Sequence, residues 1–431
     1  MTLPEILLPS TPAVPATSAP MLRRGALLFP LLVLFAGASL IREAAVGILV
    51  RAEEYWTGLL MQQPQPAATA ATTLVEISDD TTLKHVWPWA AADFAVFFHA
   101  ALPFEPAVIA VEPVLDADRG ALAGEAREEI YEKMLHDGIL RAPKLVLGGS
   151  LGFAPDAETA PPLQPMPALS RVRGDLSRVP EFTAVETWAE ERFRLSTKPG
   201  WTNVPDSLGP LGRCPLIFRY RGQPVPSITL QLAMLWEKMT PDEIEVVLGS
   251  HITVGSKRIP IDDAGRMSVN FGTSFERITY DDLLLVREQF DTNETPSRPR
   301  EHFAGRVLLL GRTDTFVRNL ETPSGAKATP AEFFAAAVAT IQAGTHPRRI
   351  GAWLDWLLVL LVAGLSLWIP RSRPTRLAIA VIVLEAAFIG LAVLLYRSHS
   401  LILPGVLPLG LAVWVLLLRM VAKKAQRVIA F

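Results

Sequence analysis

Ala107-Val108-Ile109-Ala110-Val111-Glu112-Pro113-Val114-Leu115 is the stretch on which the fold turns. Its apolar residues run on without the alternation of a half-solvated strand, and Val108, Ile109 and Val111 are β-branched. That pattern predicts a strand buried on both faces, the kind that builds parallel sheets. Arg306-Val307-Leu308-Leu309-Leu310-Gly311 reads the same way. Working outward, strands are predicted over 73–77, 144–148, 216–220, 246–248, 258–261 and 267–271. Helices are predicted over 91–102, 120–136, 228–239 and 330–342, the last with Pro330 in its first turn, where proline is tolerated. Strands alternating with helices give an α/β domain with a mostly parallel central sheet.

The rest of the chain is more apolar than such a domain needs. Of 431 residues, 50% are hydrophobic and only 19% charged, with a formal net charge of −2 and a single cysteine, Cys214. One cysteine excludes an internal disulfide framework and any zinc site built on clustered cysteines. A near-neutral charge provides no basic field, so nucleic acid is not an expected partner. About 20 apolar residues cross the roughly 30 Å of a bilayer core. Windows at 352–369, 377–396 and 401–418 meet that length, and 25–41 does so if it continues helically through 44–50.

The chain therefore divides into a disordered tail (1–24), a transmembrane helix (25–50), a large domain (51–350), three closing helices (351–370, 377–396, 401–419) and a basic tail (420–431). Arg23 and Arg24, then Arg371, Arg373 and Arg376, then Arg419, Lys423, Lys424 and Arg427 fall on one side, against Arg397 alone in the short loop opposite. That bias puts both termini in the cytoplasm and the α/β domain outside it, with lipid around four transmembrane helices, one N-terminal and three C-terminal. A competing reading takes Ala36-Gly37-Ala38 as a signal-peptide cleavage site. The apolar sequence that resumes after it favours an uncleaved anchor. Residues 62–73 and 155–180 read as Pro-rich linker and surface excursion. Glu385, in mid-span, costs on the order of 3 kcal/mol facing lipid, so it is expected to face other helices, protonated or bonded to a group such as Ser366.

Val75-Glu76-Ile77-Ser78-Asp79-Asp80 followed by Val86-Trp87-Pro88-Trp89 resembles the opening of the CHASE type 2 family, extracellular sensory domains associated with cyclases and histidine kinases. Arg213-Cys214-Pro215-Leu216 and Val225-Pro226-Ser227-Ile228-Thr229-Leu230-Gln231 are similar to its middle section. Ile259-Pro260-Ile261-Asp262-Asp263-Ala264-Gly265, Val269-Asn270-Phe271, Ile278-Thr279-Tyr280-Asp281-Asp282-Leu283, the strand ending at Gly311, Thr322-Pro323 and the helix over 330–344 follow in order. The resemblance covers 73–344 and implies a sensory module in a bacterial inner membrane, its domain in the periplasm. The chain departs from the family pattern at Asn319, near an expected aspartate, at Phe334 and Ala336, where a His and an Asn are usual, and at Glu112, where an aspartate commonly ends the second strand. After the last span only 420–431 remain, so a catalytic output module is not expected.

Asp79 and Asp80 after the first strand, Glu112 and Asp116 after the second, and Asn319 after the late strand are the candidate ligand-binding residues. All would converge at the C-terminal edge of the sheet, where open α/β sheets bind ligands, and an acidic pocket there favours a cation or amine. Solvated turns and helix caps are the ordinary use of such carboxylates. Trp87 and Trp89 read either as a stacking surface or as core anchors. Gly148-Gly149-Ser150-Leu151-Gly152 matches the G-x-S-x-G nucleophile elbow, but a proline-rich stretch stands where that chemistry needs a helix. The histidines show no metal-ligand spacing and no phosphate-binding loop appears, so neither catalysis nor a metal or other cofactor is expected. Three functions remain open: a sensor working through a protein partner or as a homo-oligomer, its small-molecule ligand unidentified; a structural subunit built on a degenerate sensor scaffold; and, far behind, an external enzyme with Ser150 as its only handle.

Overall fold

The computed structural model describes residues 46–63, 70–115, 125–154, 166–209, 211–350 and 374–405. Contacts divide the chain into two units, and the fold below is that of the larger, Glu54–Leu354 with Ile382–Gly405. Of the other unit, residues 46–53 and 374–381 are described, as the first turns of two helices.

Seven strands form the central sheet: β1 (Thr72–Ile77), β2 (Val108–Val111), β3 (Leu145–Gly152), β4 (Ala184–Thr187), β5 (Lys198–Trp201), β6 (Glu276–Thr279) and β7 (Val307–Arg312). The helices are α1 (Val46–Met61), α2 (Asp79–Lys84), α3 (Ala91–Ala101), α4 (Glu125–Arg141), α5 (Ile228–Trp236), α6 (Tyr280–Asp291), α7 (Pro330–Ala343) and α8 (Pro374–His399), with one further single turn at Glu191–Arg194. Across the sheet the order is β6-β1-β7-β2-β3, every pair parallel. β3 then pairs in parallel with β5 through its first half and antiparallel with β4 through its second.

The pleat sorts side chains between two layers. Ile109, Val111, Leu308 and Leu310 pack with residues of α3, α4 and α6, while Val108, Ala110, Val307 and Leu309 pack with α5 and α7. A sheet covered on both faces must be apolar at every central position, which is why these strands read as continuous runs. Each of the Val, Leu and Ile side chains contributes roughly 1.5–3 kcal/mol of burial. Capping chemistry sets the helix starts. Ser227 Oγ accepts the Leu230 N–H (3.4 Å) at α5, and Thr279 Oγ1 accepts that of Asp282 (3.1 Å) at α6. Thr329 and Glu332 cap α7 reciprocally, the Thr329 N–H donating to the Glu332 carboxylate at 2.7 Å, and α7 ends on Gly344 at a φ of 67°.

Several boundaries differ from the sequence reading. β2 stops at Val111 because Pro113, two residues on, has no N–H for the ladder. β6 and α6 follow each other through residues 276–291, where no element was expected. The excursion over 155–180 is partly structured: Arg171–Arg173 pairs in parallel with Glu245–Val247, at the edge of a small sheet continued by His251–Val254 and Lys257–Pro260; residues 155–165 lie outside the described ones.

The expected spans at 25–50 and 351–370 lie outside the described residues, apart from 46–50, which open α1; that helix runs on to Met61. α8 contains the span expected at 377–396 and, among the described residues, is the one helix long and apolar enough to cross a membrane. Ile382, Val383 and Leu394 are exposed on it, Glu385 is half-buried, and Ser366 lies outside the described residues. The fourth span does not begin at Leu401. Ser400 adopts a left-handed φ of 55°, and Leu401–Ile402 is a strand parallel to Arg348–Arg349; residues 406–419 lie outside the described ones.

Gly311 marks a close contact between sheet and helix, since a Cβ there would collide with the Cβ of Ala331. Gly311→Ala forces β7 and α7 apart and is expected to cost about 1–3 kcal/mol. The measurement is the thermal midpoint of the full chain in mild detergent, and an unchanged midpoint contradicts this packing.

Candidate functional site

A cavity of about 430 Å³ opens at the C-terminal ends of β2 and β7, which are neighbours in the sheet. Glu112, the first residue past β2, is fixed by the ladder: its N–H donates to the Leu310 carbonyl at 2.9 Å. The flanking strands carry glycine at this level. A Cβ on Gly148 would collide with the Glu112 carbonyl oxygen, and one on Gly311 would stand 3.7 Å from Glu112 Oε2. Gly148 thus makes room for the Glu112 backbone, and Gly311 lies beside its carboxyl. Burial pushes its carboxyl up to about 7; the Arg312 backbone N–H and guanidinium oppose that rise, and the Asp314 charge adds to it.

Arg312, the last residue of β7, lines the same cavity. Its guanidinium grips Asp314 through two bonds, Nε to Oδ2 at 2.7 Å and Nη2 to Oδ1 at 2.8 Å, and its Cζ lies 4.4 Å from the centre of a Trp87 ring. The Asp314 side chain is fully buried, and its Oδ1 also accepts the Phe316 N–H at 3.0 Å. Arg312 is thus neutralised inside the protein, whereas no side chain pairs with Glu112 among the described residues. The Trp87-Pro88-Trp89 segment, with a cis bond between Trp87 and Pro88, divides its two rings. Trp89 is 1% exposed, packed on Phe94 and Tyr280, with its Nε1 donating to the His85 carbonyl at 3.3 Å. Trp87 remains half-buried in the wall of the cavity, and Phe316 stands exposed at its rim.

Of the residues singled out in the sequence, Glu112 lines the cavity. Asp79 instead anchors the loop after β7: its Oδ1 accepts the Thr315 N–H at 2.9 Å and the Thr315 hydroxyl at 3.0 Å. Asp80, on α2, and Asn319 are exposed and not in the wall, and Asp116 lies outside the described residues. The wall is of mixed charge rather than acidic, since Arg312 and Arg318 share it with Glu112. Phe334 and Ala336 are buried in the apolar layer of α7. Sequence reasoning passed over Arg312 and Asp314, although Gly311-Arg312-Thr313-Asp314 places a charged pair directly at the end of a buried strand. Ser150 is no elbow: it lies within β3, opposite Thr187, and its Oγ is 2.7 Å from Thr187 Oγ1. Thr202, the hydroxyl in the cavity wall, donates to the Gly149 carbonyl at 3.0 Å.

The site thus offers a carboxyl that titrates near neutrality, a guanidinium plane on an indole, and apolar walls. These features suit a small molecule with a polar group and a flat face. Folding also acquires a pH dependence. The folded chain keeps on Glu112 a proton that the unfolded chain releases near its ordinary 4.5, so this group's contribution is full below 4.5 and falls as pH rises to about 7. Glu112→Gln is expected to remove that part of the decline, leaving wild type several degrees less stable than the variant at pH 8 but not at pH 4.5. Parallel melting curves across that range contradict a buried carboxyl here.

No curated protein and no solved structure matches this chain. A family model for the CHASE2 domain matches residues 26–369, a region that contains the whole central sheet, the helices from α2 to α7 and the cavity. With most of its length matched, and with the motifs of that family in order along an α/β domain, the chain belongs to the CHASE2 domain family, a family of sensory domains associated with signalling.

Proposed function

We propose that this chain is a multi-pass inner-membrane sensor whose domain over 51–350 faces the periplasm, binds a small molecule between Glu112, Arg312 and Trp87, and signals through a separate protein partner. The observation that carries this reading is the cavity at the C-terminal ends of β2 and β7 in a chain of a sensory family. The apolar face of α8 and the Lys/Arg bias support membrane insertion with the domain outside. The residues after the matched region, 370–431, read as further spans and a basic stretch, and in this proposal they carry the signal to the partner. The chain acts here as a binder, not an enzyme.

A second reading, a structural subunit, draws on one observation: Phe334 and Ala336, where the family resemblance leads one to expect polar groups, serve the core. Affinity purification in mild detergent separates the two. A partner with cyclase or kinase chemistry supports the sensor; a stoichiometric complex that buries the cavity supports the subunit.

Topology is testable against a silent background. Cys214 is the only cysteine, fully buried, and burial pushes its thiol up to about 12. Ser207 is exposed. A Ser207→Cys variant in intact cells is expected to react with a membrane-impermeant maleimide, while the parent chain stays unlabelled. Labelling only after lysis overturns the periplasmic placement.

A further inference from the structure

The segment after β7 serves two places. Arg312, Phe316, Val317 and Arg318 face the cavity. A few residues on, Leu320–Glu321 and Lys327–Ala328 pair as a hairpin, closed by Thr322, whose N–H and hydroxyl bond the Ala326 carbonyl at 2.9 and 2.8 Å. The tip of that hairpin lies against α1. Gln62 Nε2 donates to the Ser324 carbonyl at 3.0 Å, and the Pro323 carbonyl oxygen fills the space in which a Cβ on Gly58 would stand. α1 in turn holds the segment after α8. Trp56 Nε1 donates to the Leu403 carbonyl at 2.8 Å, and Gly405 meets the Trp56 indole with no room for a side chain.

The connection is anchored at both ends. Asp79 and Asp314 fix Thr315 and Phe316 at the cavity, and Ala328 runs directly into Thr329, the N-cap of α7. Between them, Phe316, Arg318 and Asn319 are exposed, Arg318 donating to Asp206 Oδ1 at 3.0 Å, and Leu320 is seated in the core. The hairpin is closed by its own hydrogen bonds, with Leu320, Thr322 and Ala328 buried. Contact at a glycine, backbone against backbone, passes a displacement on because packed surfaces repack in steps rather than deform.

We propose that residues 312–328 form a lever coupling the cavity to α1, the hairpin tip shifting against Gly58 when the rim at Phe316–Arg318 shifts. This deepens the sensor reading and rests on it: the lever is how an occupied cavity reaches the chain segments next to the expected spans. Coupling between sites is reciprocal, so a change imposed at α1 must reach the rim.

Hydrogen–deuterium exchange on the full chain in lipid nanodiscs tests this without a ligand. Gly58→Val drives a side chain into Pro323, and Gln62→Ala removes the bond to Ser324 more gently. Thr279→Ala, which uncaps α6, is the control. In Gly58→Val the amides of 315–318 are expected to exchange about 5-fold faster or more, the lower end of typical coupling, with a smaller change of the same sign in Gln62→Ala. The control is expected to leave them unchanged. Exchange that changes only within 320–328, or that rises equally at the rim in the control, overturns the lever; should Gly58→Val fail to fold, Gln62→Ala decides by the same criterion. Because no ligand enters, the lever can fail while Ser207→Cys labelling and ligand binding succeed, and it can hold in a chain whose cavity binds nothing.

Discussion

A half-buried carboxyl group at the end of a parallel strand organises this end of the molecule. Glu112 leaves β2 where the ladder ends at Pro113, with Gly148 of β3 against its backbone and Gly311 of β7 beside its carboxyl. Burying a charge without a partner is costly, and the usual resolution is neutralisation. Glu112 takes that course, its carboxyl raised to about 7. The neighbouring arginine takes the other, pairing twice with buried Asp314. Two adjacent strand ends thus settle their charges in opposite ways, and the cavity lies between them.

That arrangement explains why the carboxylates near the sheet's edge do different work. Asp79 and Asp314 hold the loop after β7 by bonding its backbone, leaving Glu112 as the acidic group that faces open space. A ligand that bonds Glu112 and lies against Trp87 would also bear on that loop, since Phe316 belongs to it and Arg312 leads into it. The loop continues into the hairpin that meets Gly58. In the proposed sensor, recognition and transmission are therefore consecutive stretches of one segment rather than separate modules.

The central sheet was legible in the sequence because burial on both faces leaves short unbroken apolar runs rich in β-branched residues, as at Val108–Val111, or bounded by glycine, as at 307–310. α5 was legible as an amphipathic stretch, and α7 from the proline in its first turn. β6 and α6 were not, since Glu276-Arg277-Ile278-Thr279 is an edge strand with one buried side chain. The start expected for the fourth span failed because hydropathy registers apolar residues but not the left-handed turn at Ser400. At the site, Glu112 stood out as a carboxylate ending an apolar run. Arg312 and Asp314 did not, because a buried ion pair two residues apart looks in sequence like an ordinary solvated loop.

The most direct test is an electron cryomicroscopy map of the full chain in lipid nanodiscs. The account expects an open cavity bounded by Trp87, Glu112 and Arg312, well clear of the bilayer, with the 312–328 segment running from its rim to α1. A map in which Trp87 and Phe316 fill that volume, or in which a subunit interface seals it, contradicts the account.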